Sequence, residues 1–103
     1  MLVFPLMQLS FQGEIFYWRG PSPFHFVAVP EEENEELRAV SSLVSYGWGV
    51  IPVNAVVGGT TWATSLFPKD GVYLVPLKLS VREAEGLNVG DHVHITLSLT
   101  SAT

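Results

Sequence analysis

The stretch Gly47-Trp48-Gly49-Val50-Ile51-Pro52-Val53-Asn54-Ala55-Val56-Val57-Gly58-Gly59-Thr60-Thr61-Trp62-Ala63-Thr64-Ser65-Leu66-Phe67-Pro68-Lys69 decides the fold. From Val50 to Val57 both faces are apolar except at Asn54, the pattern of a central strand. Gly58-Gly59 allows a two-residue hairpin, because glycine reaches positive φ without steric penalty. Thr60 to Leu66 then returns as the antiparallel partner. Phe67 to Gly71 reads as a second turn and Val72 to Leu79 as a further strand. Within that strand Pro76 predicts an edge or a split point, since it has no ladder N–H to donate. Extended to Arg82, this third of the chain holds two of the three tryptophans, three of the five basic residues and five of the nine glycines. A site is expected here if anywhere.

Upstream, Leu9, Phe11, Ile15 and Tyr17 alternate with Gln8, Ser10, Gln12 and Glu14, a period of two that marks a strand with one wet face. Gly13 suggests a bulge. Phe16 and Trp18 turn the wet face apolar, which predicts that the end of this strand is covered on both sides. Arg19-Gly20-Pro21-Ser22-Pro23 is turn chemistry, and Phe24 to Val29 forms a second strand. Pro30 opens a helix whose first turn holds Glu31, Glu32 and Glu33, where negative charge suits the unsatisfied N–H groups and the helix dipole. Its apolar stripe is Leu37, Val40, Leu43 and Val44, and its expected stop is Ser45 to Gly47.

Downstream, Ser80 with Glu83 reads as a capping box for a short helix, Val81 to Gly86. Asn88-Val89-Gly90-Asp91 is a turn. His92 to Leu99 alternates strictly, with Val93, Ile95, Leu97 and Leu99 on the inner face. About six strands, one inserted helix and a short second helix make a mainly β chain, a small barrel.

The composition narrows the function classes. A chain of 103 residues, 48% hydrophobic and 15% charged, is large enough to bury a core, and it reads as one domain, 1–103. There are no cysteines, which excludes disulfides, thiolate chemistry and zinc–thiolate sites. Met1 to Met7 is apolar but lacks basic residues before it and a small-residue cleavage site after it, so it is read as mature sequence. No apolar run approaches the ~20 residues of a membrane helix. A soluble, cytoplasmic protein without a membrane role is the expectation. Of the ten acids, five sit between Glu31 and Glu36, so the net charge of −5 belongs to one helix face.

Several motifs together carry a resemblance. Trp18-Arg19-Gly20-Pro21, Gly47-Trp48-Gly49, the Thr64-Ser65-Leu66-Phe67-Pro68 run, Tyr73-Leu74-Val75-Pro76-Leu77-Lys78 and Gly90-Asp91 resemble the domain-of-unknown-function family numbered nineteen hundred and five. The resemblance implies a double-split β-barrel and no particular activity. More distantly, Val75-Pro76, Val81-Arg82, Gly86-Leu87 and Gly90-Asp91-His92-Val93 are similar to the swapped-hairpin barrels of AbrB and MazE-type proteins, which bind DNA as dimers.

Lys78 and Arg82, with Ser65 and the indoles of Trp48 and Trp62, are the candidate ligand-binding residues. A cation beside an aromatic platform suits a small anionic or aromatic ligand, and a binding module of that kind is the function expected. Lys78 and Arg82 are expected to point toward one concavity edged by Trp62 or Trp48, whereas Lys69 lies at the far end of its strand. The alternatives are an AbrB-like nucleic-acid-binding dimer and a small enzyme using a Trp48/Trp62 pocket. Nucleic acid is disfavoured by so few bases on an acidic chain, while self-association is compatible with the sequence. No catalytic motif is present, since Ser65 lacks a nucleophile elbow. His92, His94 and His25 form the nearest approach to a metal set, but alternation on a solvent-facing strand explains the first two, so neither metal nor cofactor is expected.

Overall fold

A computed structural model describes residues 7–19, 24–44 and 49–100. Its strands are β1 (Met7–Trp18), β2 (Phe24–Ala28), β3 (Ile51–Val57), β4 (Thr60–Lys69), β5 (Val72–Pro76) and β6 (His92–Leu99), with helices α1 (Glu31–Val44) and α2 (Leu79–Glu85). They close a mainly β barrel in the order β1-β2-β5-β4-β3-β6.

The two longest strands each serve two neighbours in turn. β1 pairs with β6 from Met7 to Glu14 and with β2 from Ile15 to Trp18. β4 pairs with β3 from Thr60 to Leu66 and with β5 from Phe67 to Lys69. These two changes of partner divide the wall into a β1-β6-β3-β4 half and a β1-β2-β5-β4 half. Alternation along the strands fills the interior with Ile15, Val27, Ile51, Leu66, Val75, Ile95 and Leu97, all buried.

The β3–β4 and β4–β5 hairpins each turn on two residues. Gly58 takes φ 57 between β3 and β4, while Asp70 and Gly71 take φ 51 and 81 between β4 and β5. Two successive positive φ values are what a type I′ turn requires, and Asp-Gly is a favoured pair for it. This is why β4 runs on through Phe67 and Pro68 to Lys69, rather than turning at Phe67 as the Pro suggested. Lys69 and Val72 flank the turn as a hydrogen-bonded pair, so the nitrogen of Pro68 faces away from β5 and costs the ladder nothing.

The same phase explains where β4 and β5 part. Leu74 bonds toward β4, and two residues later Pro76 would have to donate to Ser65, which it cannot do. The ladder between these strands stops at Phe67 and Leu74. On its other side β5 continues past Pro76, with Leu77 N–H donating to the His25 carbonyl at 2.9 Å. Pro76 is therefore a split point inside the barrel, not an edge.

Gly13 is no bulge. It pairs in register with Val93, and a Cβ there would lie 2.5 Å from Val27 Cγ1, so the missing side chain lets β2 close over β1 where the partner changes. α2 starts at Leu79 with Lys78 as its extended N-cap and no side-chain cap bond, two residues before the expected start at Val81 behind a Ser80 cap. Its C-cap Gly86 is left-handed at φ 64.

α1 packs against the barrel through buried Leu37 and Asn34. The Asn34 amide donates to Gly71 O at 2.8 Å and accepts from Tyr73 N at 3.0 Å, which satisfies a strand N–H left without a partner at the end of β2. Arg38 also donates to Gly71 O and pairs with Glu31. Leu43 and Val44, counted in the sequence stripe, have side chains outside the described residues, as does the expected helix stop at Ser45 to Gly47.

Candidate functional site

The outer surface of β1 changes character where it changes partner. Gln8, Ser10, Gln12 and Glu14 stand opposite Ser98, Thr96, His94 and His92 of β6. Ser10 and Thr96 hydroxyls bond at 2.9 Å, Gln8 donates to Ser98 at 3.2 Å, and His92 lies 3.6 Å from Glu14. The next two residues on that face are Phe16 and Trp18, opposite Phe26 and Phe24 of β2. Phe26 in turn faces Pro76 of β5, and Phe67 of β4 faces Leu74. One half of the barrel is polar outside and the other aromatic.

These aromatic side chains form a connected set. Ring centroids lie 6.0 Å apart for Trp18 and Phe26, 6.0 Å for Trp18 and Phe67, 5.8 Å for Phe24 and Phe26, and 6.5 Å for Phe26 and Phe67. Offset and tilted pairs at such spacing are favoured by the ring quadrupoles. The cluster is not sealed, since Phe24 is 38% and Phe67 40% exposed. Between it and the fork where β4 leaves β5 lies a concavity of about 580 Å³, walled by Trp18, Phe24, Phe26 and Phe67 and continued by Val50, Thr64, Ser65, Leu66 and Pro76. Lys69 Nζ stands 5.1 Å from the centroid of the Trp18 ring, a cation–π distance, and holds Asp70 Oδ2 at 2.9 Å.

The residues expected from sequence fall in different places. Ser65 lines this concavity. Trp62 is buried opposite Ala55 in the core, and its indole N–H has no hydrogen-bond partner among the described residues. Lys78 is exposed at the start of α2. Arg82, one turn further, lines a smaller hollow of about 240 Å³ with Glu83, Gly86, Leu87 and Asn88. Trp48 lies outside the described residues, although Val50, two residues later, is part of the concavity wall. Phe16 and Trp18 are half-buried and Tyr17 is exposed, so the end of β1 is not covered on both sides as expected.

His25, on the face of β2 opposite Phe24 and Phe26, packs its ring 4.9 Å from that of Tyr17. Burial first, and the positive charge of Arg82 second, lower its pKa below the usual 6.5. His92 and His94 stand on β6 away from it, and no three potential metal ligands converge among the described residues.

Trp18, Phe24, Phe26 and Phe67 are the residues of the concavity wall that sequence reasoning missed. The even positions of β1 switch from polar to aromatic at Phe16, and that signal was readable as exposed surface instead of cover. A closed six-stranded barrel with split pairing, one helix at its side and an aromatic concavity at the fork defines a small β-barrel domain. A family model described as Domain of unknown function (DUF1905) matches residues 11–97, and the chain belongs to that family. No curated protein matches the chain.

Proposed function

We propose that the domain is a binding module for a small, planar aromatic ligand carrying an acidic group, seated in the concavity between β1, β2, β4 and β5. The observation that carries this reading is the open aromatic wall of Trp18, Phe24, Phe26 and Phe67 around about 580 Å³. That volume falls in the ~300–1,000 Å³ range of small-molecule sites, which are mostly apolar with a few polar groups that set orientation. The polar groups here are Ser65, on the outer face of β4 with Phe67, and Lys69 beside Trp18. The apolar wall supplies affinity by burying ring surface, and Lys69 supplies charge preference.

8-Anilinonaphthalene-1-sulfonate, an aromatic anion, is a direct probe. Its emission should rise saturably with the folded protein, at one equivalent. Phe67→Asp, which places charge on an already exposed position of the wall, should abolish the rise while the circular dichroism spectrum is retained. Equal enhancement by the variant would refute this placement of the site.

A further inference from the structure

Positive charge without a counter-ion among the described residues gathers where β5 hands over to α2. The backbone bond from Leu77 to His25 fixes the chain just before Lys78, and Arg82 N–H donates to Lys78 O at 3.0 Å, which sets these two residues one helical turn apart. Like charges at this spacing repel. Neither makes an ion pair among the described residues, and two acids of the same region are engaged elsewhere. Glu85 accepts from Thr60 Oγ1 at 2.6 Å, and Asp91 accepts from Asn88 N at 2.8 Å. Glu83 shares the small hollow with Arg82 but does not pair with it. The Nε–H of Arg82 is buried with no acceptor. His25 follows Leu77 across the strand pair through that backbone bond, the Arg82 charge adds to burial in lowering its pKa, and its ring is held against Tyr17, which is 46% exposed.

We infer that Lys78, Arg82 and His25, beside Tyr17, form a second binding site that takes a phosphate group. Two cations one turn apart match a dianion, and the planar guanidinium offers paired N–H donors to its oxygens. The imidazole adds a donor in either protonation state. His25 faces away from the aromatic concavity, because it alternates with the wall residues Phe24 and Phe26 along β2, and neither Lys78 nor Arg82 lines that concavity.

The test is a titration of the ¹⁵N-labelled chain with inorganic phosphate at constant ionic strength, with acetate as a monoanionic comparison. Phosphate should give saturable shifts at the amides of His25, Leu77 and Lys78 to Arg82, and acetate weaker ones at the same amides. Lys78→Met, at an exposed and unpaired position, should weaken phosphate binding at least about fivefold, the equivalent of ~1 kcal/mol. Arg82→Met should abolish it, and Glu83→Gln should tighten it by removing a like charge. Absence of saturable shifts at these amides, or binding unchanged in Lys78→Met, would overturn the site, whether or not Arg82→Met folds.

Discussion

The ammonium group of Lys69 rests 5.1 Å from the centre of the Trp18 ring and simultaneously holds the carboxylate of Asp70. A strand-end lysine is thereby kept at the margin of an aromatic wall. Its carboxylate partner is 87% exposed, so a ligand acid can displace it at little cost. Lys69→Met should lower the affinity for 2-naphthoate about three- to tenfold and leave that for uncharged naphthalene unchanged. Asp70→Asn should act in the opposite sense, and asparagine tolerates the left-handed φ of 51 at this turn. Calorimetric titration of both ligands into the three proteins measures the difference, and equal losses for both ligands would remove Lys69 from recognition.

Asn34 is the polar pin between α1 and the β4–β5 turn. Asn34→Leu breaks two hydrogen bonds and strands the Tyr73 N–H in a buried position. Stability should fall by about 2–4 kcal/mol, since a buried unsatisfied group costs ~1–3 kcal/mol beyond the bond itself. Urea denaturation with an unchanged m-value checks it.

Gly13→Ala should destabilise by about 1–3 kcal/mol, because the new methyl meets Val27 where neither strand can yield freely. Val27→Ala in the same background should recover part of that loss. A double-mutant cycle reads the coupling, and simple additivity would show that the two side chains do not compete for one space.

His25 titrates below 6.5 in the folded chain, so the unfolded chain binds its proton first as pH falls. Stability therefore rises with pH through the window just below 6.5 and declines as the solution is acidified through it. Replacing His25 by Gln should flatten the stability curve in that window. Replacing Arg82 by Met should raise the His25 pKa measured by NMR without restoring it fully, because burial is the larger cause.

Periodicity along the chain made the barrel legible. Alternation in β1 and β6, the two-faced apolar run of β3 and the Gly58-Gly59 turn each specify local geometry that tertiary packing does not override. The turn after β4 was misplaced because Pro68 looks like a breaker, and only the pairing phase reveals that its nitrogen faces away from β5. The start of α2 was misplaced because Ser80 suits a cap by composition, whereas the chain direction after Leu77 is set by the bond to His25. The concavity was hidden for a different reason. Trp18 and Phe24 are distant in sequence from Phe67, and they meet it only because β1 and β4 change partners on the same half of the barrel. Trp62, by contrast, sits on the inner face of β4 by simple alternation with Thr61 and Ala63, and its burial was open to the same period-of-two argument.

The most direct measurement of ligand recognition in the aromatic concavity is a ¹H–¹⁵N titration of the full chain with 2-naphthoate. Saturable shifts should concentrate at Phe16 to Trp18, Phe24 to Phe26 and Thr64 to Lys69, with the polar half of the wall, Gln8 to Gln12 and His94 to Ser98, unmoved. Shifts spread over the polar half, or none that saturate, would contradict the proposed site. Concentration-dependent shifts at the same aromatic positions without ligand would contradict it as well, by assigning the wall to a second copy of the chain.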